Sequence, residues 1–221
     1  MLRPEARNHP LTAVLRQVQA DSCPGRFNFH CHTLFSDGSL SPSALAAGAM
    51  ACGLEHLAIT DHHAFRAYDE AKAHLVSARA QGQVVPTLWR GVEISALLDG
   101  CLVHVLALGF DAPADSLTPY LQGTACVGTA LRCEAVLAAI HQAGGLALLA
   151  HPARYRLPHE RLIAAAADLG FDGAEAWYDY EQKPAWTPSP LVCEAIAADL
   201  DKRGLLQSCG TDTHGLALSG R

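Results

Sequence analysis

Short apolar segments alternate with alanine-rich helical stretches along almost the whole chain, and this alternation limits the possible folds more than any other feature. Proline stands near the starts of the predicted helices and glycine near their ends. We predict seven strands, the third of which could be divided in two, at residues 26–30, 56–60, 84–95, 101–109, 145–150, 173–176 and 206–209. Helices are predicted at residues 42–51, 68–81, 120–143, 158–169 and 190–203. Such an alternation predicts an α/β fold with a largely parallel sheet.

A chain of 221 residues suits one domain with a substantial core. We expect residues 1–25 to form an N-terminal helical arm and residues 26–221 to form a single domain. The glycine-rich motifs that bind dinucleotides or nucleoside triphosphates are not present in the sequence. The choice between a doubly wound sheet and a barrel therefore depends on where the polar residues lie.

Composition excludes several classes of protein. Half of the residues are hydrophobic and 17% are charged, which excludes a disordered chain. No apolar run is long enough to cross a bilayer, and no signal peptide is recognisable, so no membrane association is predicted. The formal net charge of −6 disfavours bulk electrostatic binding to DNA. Eight cysteines without a C-x-x-C pair predict reduced thiols and a cytoplasmic location.

Side chains that typically bind metals lie within or just after six of the seven predicted strands. The carboxyl ends of the strands of a parallel barrel meet at one face, where barrel enzymes place their chemistry. Imidazole and carboxylate ligands in this number suit two or three divalent ions, such as zinc, manganese or iron. The candidate ligands are His30, His32, Asp37, His62, Glu93, His104, His151, Asp212 and His214.

Each candidate ligand has an ordinary explanation when it is taken alone. His104 could be a core histidine of an apolar strand, and His151 could simply end a strand before Pro152. Glu93 is harder to explain in this way, because a buried carboxylate needs a partner charge. Equivalent positions on six strands make a shared metal site the better interpretation. His63 neighbours a candidate ligand and could face either substrate or solvent.

Taken together, these motifs resemble the signature of the PHP (polymerase and histidinol phosphatase) family. The matching segments are His30-Cys31-His32-Thr33, Ser36-Asp37-Gly38, Ile59-Thr60-Asp61-His62, residues 91–95, His104, His151-Pro152 and Asp212-Thr213-His214. The resemblance implies a distorted seven-stranded (β/α)7 TIM-like barrel with a cluster of two or three metal ions. The implied subsites are His30, His32, Glu93 and Asp212; Glu93, His104 and His151; and Asp37, His62 and His214. Asp61 would orient a neighbouring ligand.

Within that family, residues 36–38, 91–95 and 151–155 most resemble one branch. Its members are phosphoesterases that act on nucleoside 3′,5′-bisphosphates and, as 5′–3′ exoribonucleases, on short RNA. Arg154 matches a residue that would contact phosphate there, a role that suits a guanidinium. The branch has a helical insertion that forms a lid between the strands of His104 and His151. Here only residues 110–144 are available, so a more open site is expected.

The resemblance implies that the chain hydrolyses a phosphomonoester or a terminal phosphodiester. Two ions sharing Glu93 would bind a bridging water as hydroxide, and Arg154 would help to neutralise the phosphoryl oxygens. The proton for the leaving group would come from His63 or from a metal-bound water. A loop after the sixth strand could stack a base or contact a second phosphate, or it could simply pack its rings. Its side chains are Tyr178, Tyr180, Lys183 and Trp186.

Two other functions remain open at this stage. The shorter lid region would allow a phosphatase of small metabolites, such as histidinol phosphate. A metal-stabilised binding module without catalysis belongs to another class, but that reading would be favoured by a loss of ligands, and no ligand is lost. The expected partner is a small phosphorylated substrate, either a nucleotide or a short RNA. No oligomeric state is predicted.

Overall fold

The computed structural model describes residues 2–183 and 185–218, and its strands form two sheets. The first sheet is parallel and consists of β1 (Phe27–Asn28), β2 (His56–Ala58) and β3 (Thr87–Trp89). The second sheet follows the chain order β4 (Gly91–Leu98), β5 (Cys101–Leu108), β6 (Leu146–Leu149), β7 (Gly173–Trp177) and β8 (Leu206–Cys209). In it β5 is antiparallel to both β4 and β6, whereas β6, β7 and β8 are parallel. The fold is therefore mixed α/β.

Helices cover the outer faces of both sheets and one end of the space between them. Ser41 caps its helix by accepting a hydrogen bond from the Ala44 amide at 3.1 Å. The α-helices are α1 (Pro4–Asn8), α2 (Pro10–Leu15), α3 (Pro42–Ala51), α4 (Ala67–Ala80), α5 (Cys133–Gln142), α6 (His159–Leu169) and α7 (Pro190–Arg203). No helix among residues 2–183 and 185–218 combines the length and the apolar character that a membrane span requires.

The expectation of a largely parallel sheet is wrong at β5, which is antiparallel to both β4 and β6. Only Asp99 and Gly100 connect β4 to β5, and both have positive φ, at 49° and 69°. A two-residue connection with two left-handed residues is the type I′ hairpin, and it can join only antiparallel strands. The Asp-Gly pair is the sequence signal for this hairpin.

The seven-stranded closed barrel expected from the sequence is not confirmed. The predicted strand at 84–95 is divided, because β3 pairs with β2 while β4 pairs with β5, so the described residues contain eight strands. The two sheets meet through isolated parallel bridges, Cys31–Thr213 at one edge and His62–Glu93 at the other. The bridge His62–Glu93 consists of two candidate ligands. Each residue of the bridge Cys31–Thr213 lies between two candidate ligands in the chain. The ligand-bearing strand ends are thus where the two sheets come together.

The helix predicted at residues 120–143 forms only in its second half. Two 3₁₀ turns, Asp115–Tyr120 and Gly128–Leu131, precede α5. Gly123 and Gly128 have φ of 79° and 64°, which interrupts a continuous right-handed helix. The described structure therefore has no α-helix between β5 and α5 that could serve as a lid.

Alternation along the strands separates an outer core from an inner one. On β5, Val103, Val105 and Ala107 pack with α5–α7, whereas Leu106 and Leu108 point into the space between the sheets. His104 lies two residues before Leu106 on the same strand, so its side chain points to the same inner face as those of Leu106 and Leu108. A third cluster packs the first sheet against α3 and α4. The side chains of α1 and α2 join the inner core beside the residues where β1 and β6 begin, away from the candidate ligands.

Candidate metal centre

Glu93 is the residue on which the candidate ligands converge. It lies on the inner face of β4 and is 1% exposed. Its Oε2 lies 3.1 Å from the Nε2 atoms of both His30 and His32. Its Oε1 lies 2.8 Å from Nδ1 of His104 and 3.3 Å from Nε2 of His151. One carboxylate therefore faces two separate pairs of imidazoles.

Four buried side chains surround a single point beside Glu93. The Nε2 atoms of His30 and His32 lie 3.3 and 3.2 Å from Oδ1 of Asp212 and 3.2 Å from each other. Tetrahedral zinc with bonds of about 2.0–2.1 Å requires its ligand atoms to be about 3.3–3.4 Å apart. The spacing of His30, His32, Glu93 and Asp212 fits one such ion.

The tautomer of His30 supports the same conclusion. Its Nδ1 lies 3.2 Å from both carboxylate oxygens of Glu175, and donation there leaves the Nε2 lone pair facing Glu93 and Asp212. Glu175 also accepts a hydrogen bond from the His151 amide at 2.9 Å. Lone pairs and carboxylates that face one point repel each other unless a proton or a metal ion lies between them. The donor set therefore fits a divalent metal.

Sequence analysis missed Glu175. The sixth predicted strand was the only one without a candidate ligand, yet it carries this fully buried carboxylate in the segment Gly173–Trp177. The available signal was a single carboxylate on an apolar strand, which is the argument that singled out Glu93.

A second group of ligands lies on the open side of the cluster. His214 Nε2 is 3.2 Å from Oδ1 of Asp37, and His62 Nε2 is 3.8 Å from its Oδ2. The ring of His32 stacks on that of His214 at 4.3 Å. The side chains of Asp37, His62 and His214 are 56%, 26% and 33% exposed. These residues match the predicted subsite, with His32 as a further neighbour.

The third candidate subsite, around Glu93 and His104, also includes His62, which the sequence analysis places with Asp37 and His214. His62, Glu93 and His104 bring their ligand atoms together, and His151 approaches the same Glu93 oxygen as His104. Burial and the neighbouring imidazoles of His32 and His104 lower the pKa of His62 to about 4, although Glu93 opposes this shift. A neutral imidazole is the form that binds metals. His62 thus lies between two subsites.

The carboxylates make the interior strongly attractive to cations. Burial lowers the pKa of His32, but hydrogen bonds with Asp212 and Glu93 outweigh burial and raise the pKa to about 9. Burial likewise opposes ionisation of Asp212, yet His30 and His32 hold the pKa of that carboxyl well below its ordinary value. Protons and metal ions compete for such a cluster.

Asp61 holds the loop between two ligands. Its Oδ1 accepts hydrogen bonds from the Thr33 amide at 2.6 Å and from the Ser36 hydroxyl at 2.7 Å. Its Oδ2 accepts from the Thr33 hydroxyl at 2.6 Å. This loop joins His32 to Asp37, so Asp61 contacts the segment that positions both.

Arg154 lies against a ligand at the edge of the cluster. Its Nη1 donates to Oδ2 of Asp212 at 2.9 Å and to the Tyr178 hydroxyl at 2.8 Å. The Tyr178 hydroxyl itself donates to the same Asp212 oxygen at 2.6 Å. The guanidinium is partly exposed and is held beside Asp212, one of the candidate ligands.

His63 is buried beside the cluster, and both of its ring nitrogens are hydrogen-bonded to backbone groups. Its Nε2 accepts a hydrogen bond from the Ser95 amide at 3.2 Å, and its Nδ1 lies 3.2 Å from the Tyr120 carbonyl, to which it donates. Burial lowers the pKa of His63, which favours the neutral ring. The structure brings His63 into contact with the segment after β5 and not with the ligand atoms.

The rings that follow β7 pack into the protein and are not available to stack on a base. Tyr178 is fully buried and contacts Tyr180 at 4.9 Å between ring centroids, while Trp186 belongs to the inner core. Lys183 pairs with Glu181 at 2.9 Å. Of the possibilities for this loop, Tyr178 and Trp186 therefore follow the one in which the rings pack within the protein.

Comparison with known proteins gives the same family as the motifs. The PHP domain matches residues 28–151, more than half of the chain. A 5′-3′ exoribonuclease of Haemophilus influenzae is 37% identical over 97 residues, which are 44% of this chain and 33% of that protein. The 5′-3′ exoribonuclease Rnm of Escherichia coli is 33% identical over 85 residues, 38% of this chain and 28% of that protein. The matches span about a third of these relatives.

Solved structures share the fold at low sequence identity. A protein of Bifidobacterium adolescentis described as a metal-dependent phosphoesterase has a TM-score of 0.67 and 23% identity, with 88% of each chain covered. An amidohydrolase of Chromobacterium violaceum has a TM-score of 0.70 and 23% identity, with 85% of this chain and 87% of that chain covered. The extent of the domain match, together with the ligand geometry, shows that the chain belongs to the PHP domain family.

Proposed function

We propose that the protein is a metal-dependent phosphoesterase that hydrolyses phosphomonoesters or terminal phosphodiesters of nucleotides or short RNA. The observation that carries this proposal is the position of Glu93, whose two oxygens face separate imidazole pairs in a buried cluster with one open side. Membership of the PHP family supports a hydrolase of phosphoester bonds. The names of the Haemophilus influenzae and Escherichia coli relatives favour a nucleotide-type substrate.

The metal ions would be held by the three groups of ligands around Glu93. Zinc, manganese and iron all suit these nitrogen and oxygen donors. Bound there, such ions supply Lewis-acid stabilisation of the phosphoryl charge and an activated water. The proposed ligands are His30, His32, Asp37, His62, Glu93, His104, His151, Asp212 and His214.

The remaining polar residues have distinct proposed roles. Glu93 would place two subsites at a short fixed separation. Arg154, oriented by Tyr178, would contact a phosphoryl oxygen and balance its charge. Because both ring nitrogens of His63 are engaged within the protein, we propose that His63 positions the segment after β5 and does not donate the leaving-group proton.

Reduced cysteines, all eight of them free thiols, support the expected cytoplasmic location.

A substrate panel tests this proposal. Phosphate release would be measured with manganese for a nucleoside 3′,5′-bisphosphate, mononucleotides, a 5′-phosphorylated short RNA, histidinol phosphate and an aryl phosphate. Bound metal would be quantified on the same samples. We expect the highest kcat/KM for the bisphosphate or the RNA. A preference for histidinol phosphate would support the metabolite phosphatase instead. Metal binding without any phosphate release would contradict a phosphoesterase.

A further inference from the structure

Two apolar side chains are exposed on the loop between ligands His32 and Asp37. Leu34 is 64% exposed and Phe35 is 37% exposed. Their backbone is held firmly, because the Leu34 amide donates to the Leu40 carbonyl at 2.9 Å and Asp61 binds the loop on either side of Phe35. The ring of Phe35 is therefore displayed on a fixed loop.

The close packing of this loop explains why its backbone is held in one position. A Cβ atom at Gly38 would lie 2.5 Å from the carbonyl carbon and oxygen of His32, so only glycine fits there. The Gly38 amide donates to the Thr33 carbonyl at 3.0 Å. The loop doubles back tightly on the segment that carries His32, and its outer residues face solvent.

A cation from another segment covers the same ring. The Cζ atom of Arg66 lies 5.4 Å from the centroid of the Phe35 ring. Arg66 is exposed, precedes α4 and lies four residues after ligand His62. Phe35 lies two residues before ligand Asp37. We call this pair the Phe35–Arg66 platform; each half extends directly from a segment that carries a ligand.

Both halves of the platform lie within four residues of a partly exposed candidate ligand. His30, His32 and Glu93 are buried, whereas Asp37 and His62 are partly exposed. His104 and His214 are partly exposed as well, at 29% and 33%. His62 Nε2 and Asp37 Oδ2 lie 3.8 Å apart, and these two residues belong to the same segments as the two halves of the platform. A phosphate held at Asp37 and His62 would leave the rest of its molecule within reach of the platform, because Phe35 and Arg66 are only two and four residues away along the chain.

We propose that the Phe35–Arg66 platform stacks on the nucleobase of a nucleotide whose phosphate lies at the metal centre. This inference rests on the proposed function and adds the group that recognises the substrate. An exposed aromatic ring stacks on any base, and an arginine adds a cation–π contribution. The proposal also replaces the stacking role expected of the loop after β7, whose rings Tyr178 and Trp186 are buried. Recognition by stacking predicts little discrimination among bases beyond a preference for purines.

A fluorescent nucleotide tests the proposal without requiring turnover. 2-Aminopurine riboside 5′-monophosphate would be titrated with the manganese-loaded protein, because stacking quenches the emission of 2-aminopurine. Saturable quenching is expected for the unaltered protein. Phe35→Ala should weaken binding by about 5- to 150-fold, Phe35→Trp should restore it, and Arg66→Gln should weaken it by about 2- to 5-fold.

Leu169→Ala is the matched control. Leu169 is 39% exposed, similar to Phe35, but it ends α6 on the side where β7 begins, away from the ligand-bearing strand ends. Its removal should leave the affinity unchanged. Bound manganese should be equal in all variants, which separates loss of stacking from damage to the ligands. Equal affinity of Phe35→Ala and the unaltered protein, or no quenching at all, would overturn the platform.

Kinetics then separate this inference from the proposed function. The best nucleotide in the substrate panel would be compared with the same sugar phosphate lacking its base. Phe35→Ala should raise KM for the nucleotide and leave KM for the base-free compound unchanged. An equal effect on both compounds would overturn stacking while leaving the phosphoesterase intact. Quenching that depends on Phe35, together with no phosphate release from any substrate, would retain the platform and reject the hydrolase.

Discussion

At the scale of single residues, the site depends on carboxylates that orient their neighbours as well as on the ligands themselves. Glu175 is not among the candidate ligands, yet it bonds both the His30 ring and the His151 amide. It therefore selects which imidazole nitrogen of His30 is available to a metal. Groups of this kind commonly affect metal affinity nearly as much as the ligands do.

Substitution of Glu175 tests this role. We expect Glu175→Gln to lower metal affinity by about 10- to 100-fold, because the amide keeps the shape of the carboxylate but loses its charge. Competition with a fluorescent chelator would measure the affinity. Glu194→Gln, an exposed carboxylate on α7, is the control. Unchanged affinity in Glu175→Gln would show that His30 is oriented without it.

Arg154 allows a separate prediction about substrate binding. Because its guanidinium is proposed to contact phosphate, Arg154→Ala should raise KM for phosphorylated substrates by about 10-fold with a smaller effect on kcat. Arg156→Ala is a close control, since Arg156 instead bonds the Gly100 carbonyl in the hairpin. Steady-state kinetics with bound metal measured in parallel would separate the two. An unchanged KM would return Arg154 to a structural role beside Asp212.

At the scale of elements, the N-terminal segment is fastened to the start of β7 by a buried carboxylate. Asp172 pairs with Arg3 through hydrogen bonds of 3.0 and 3.1 Å and lies 3.1 Å from Nε2 of His141. The Ala147 amide donates to it at 2.9 Å. Burial would raise the pKa of Asp172, but His141 and Arg3 outweigh burial and lower it below the ordinary value of 3.8.

This lowered pKa predicts how stability changes with pH. Ionised Asp172 stabilises the fold above the unfolded pKa near 3.8, and the contribution is lost as pH falls through the lower folded pKa. Asp172→Asn should therefore reduce the free energy of unfolding by about 2–3 kcal/mol near pH 7. The difference should shrink near pH 3.

Urea unfolding at several pH values would measure this effect. Asp168→Asn, an exposed carboxylate on α6, should change stability little. A difference between the Asp172 variant and the unaltered protein that stayed constant down to acid pH would contradict the ionic explanation. It would instead indicate that only the shape and hydrogen bonding of the side chain matter.

Some features of the individual strands and turns could be predicted from the sequence. The convergence of the candidate ligands could be predicted because strand periodicity places His30 and His32 on one face and because the carboxyl ends of neighbouring parallel strands coincide. The hairpin at Asp99 and Gly100 also had a local signal, which the assumption of a parallel sheet overrode. A segment can therefore be interpreted from sequence when its own residues show a strand periodicity or a turn signal.

At the scale of the whole molecule, long-range pairing could not be predicted. Arg3 and Asp172 are separated by 169 residues and have no shared local pattern. The orientation of His63 depends on its left-handed backbone, with φ of 50°, and on the path of the segment around Tyr120. Whether the two sheets close depends on single bridges such as His62–Glu93. None of these features follows from composition or periodicity.

Glu93 is central to the proposed metal centre because of its position in the whole molecule. Its backbone forms the bridge between the segment after β2 and β4, while its carboxylate faces the candidate ligands of the proposed metal subsites. Loss of its charge should affect the metals while the apolar cores on either side of each sheet keep the chain folded.

The most direct test is therefore Glu93→Gln, with bound metal and phosphate release measured on one sample and circular dichroism to verify folding. A folded chain that has lost at least one metal ion relative to the Glu194→Gln control, with phosphate release reduced by about 100-fold or more, is the predicted result. Full metal content with undiminished turnover in Glu93→Gln would contradict the shared metal centre.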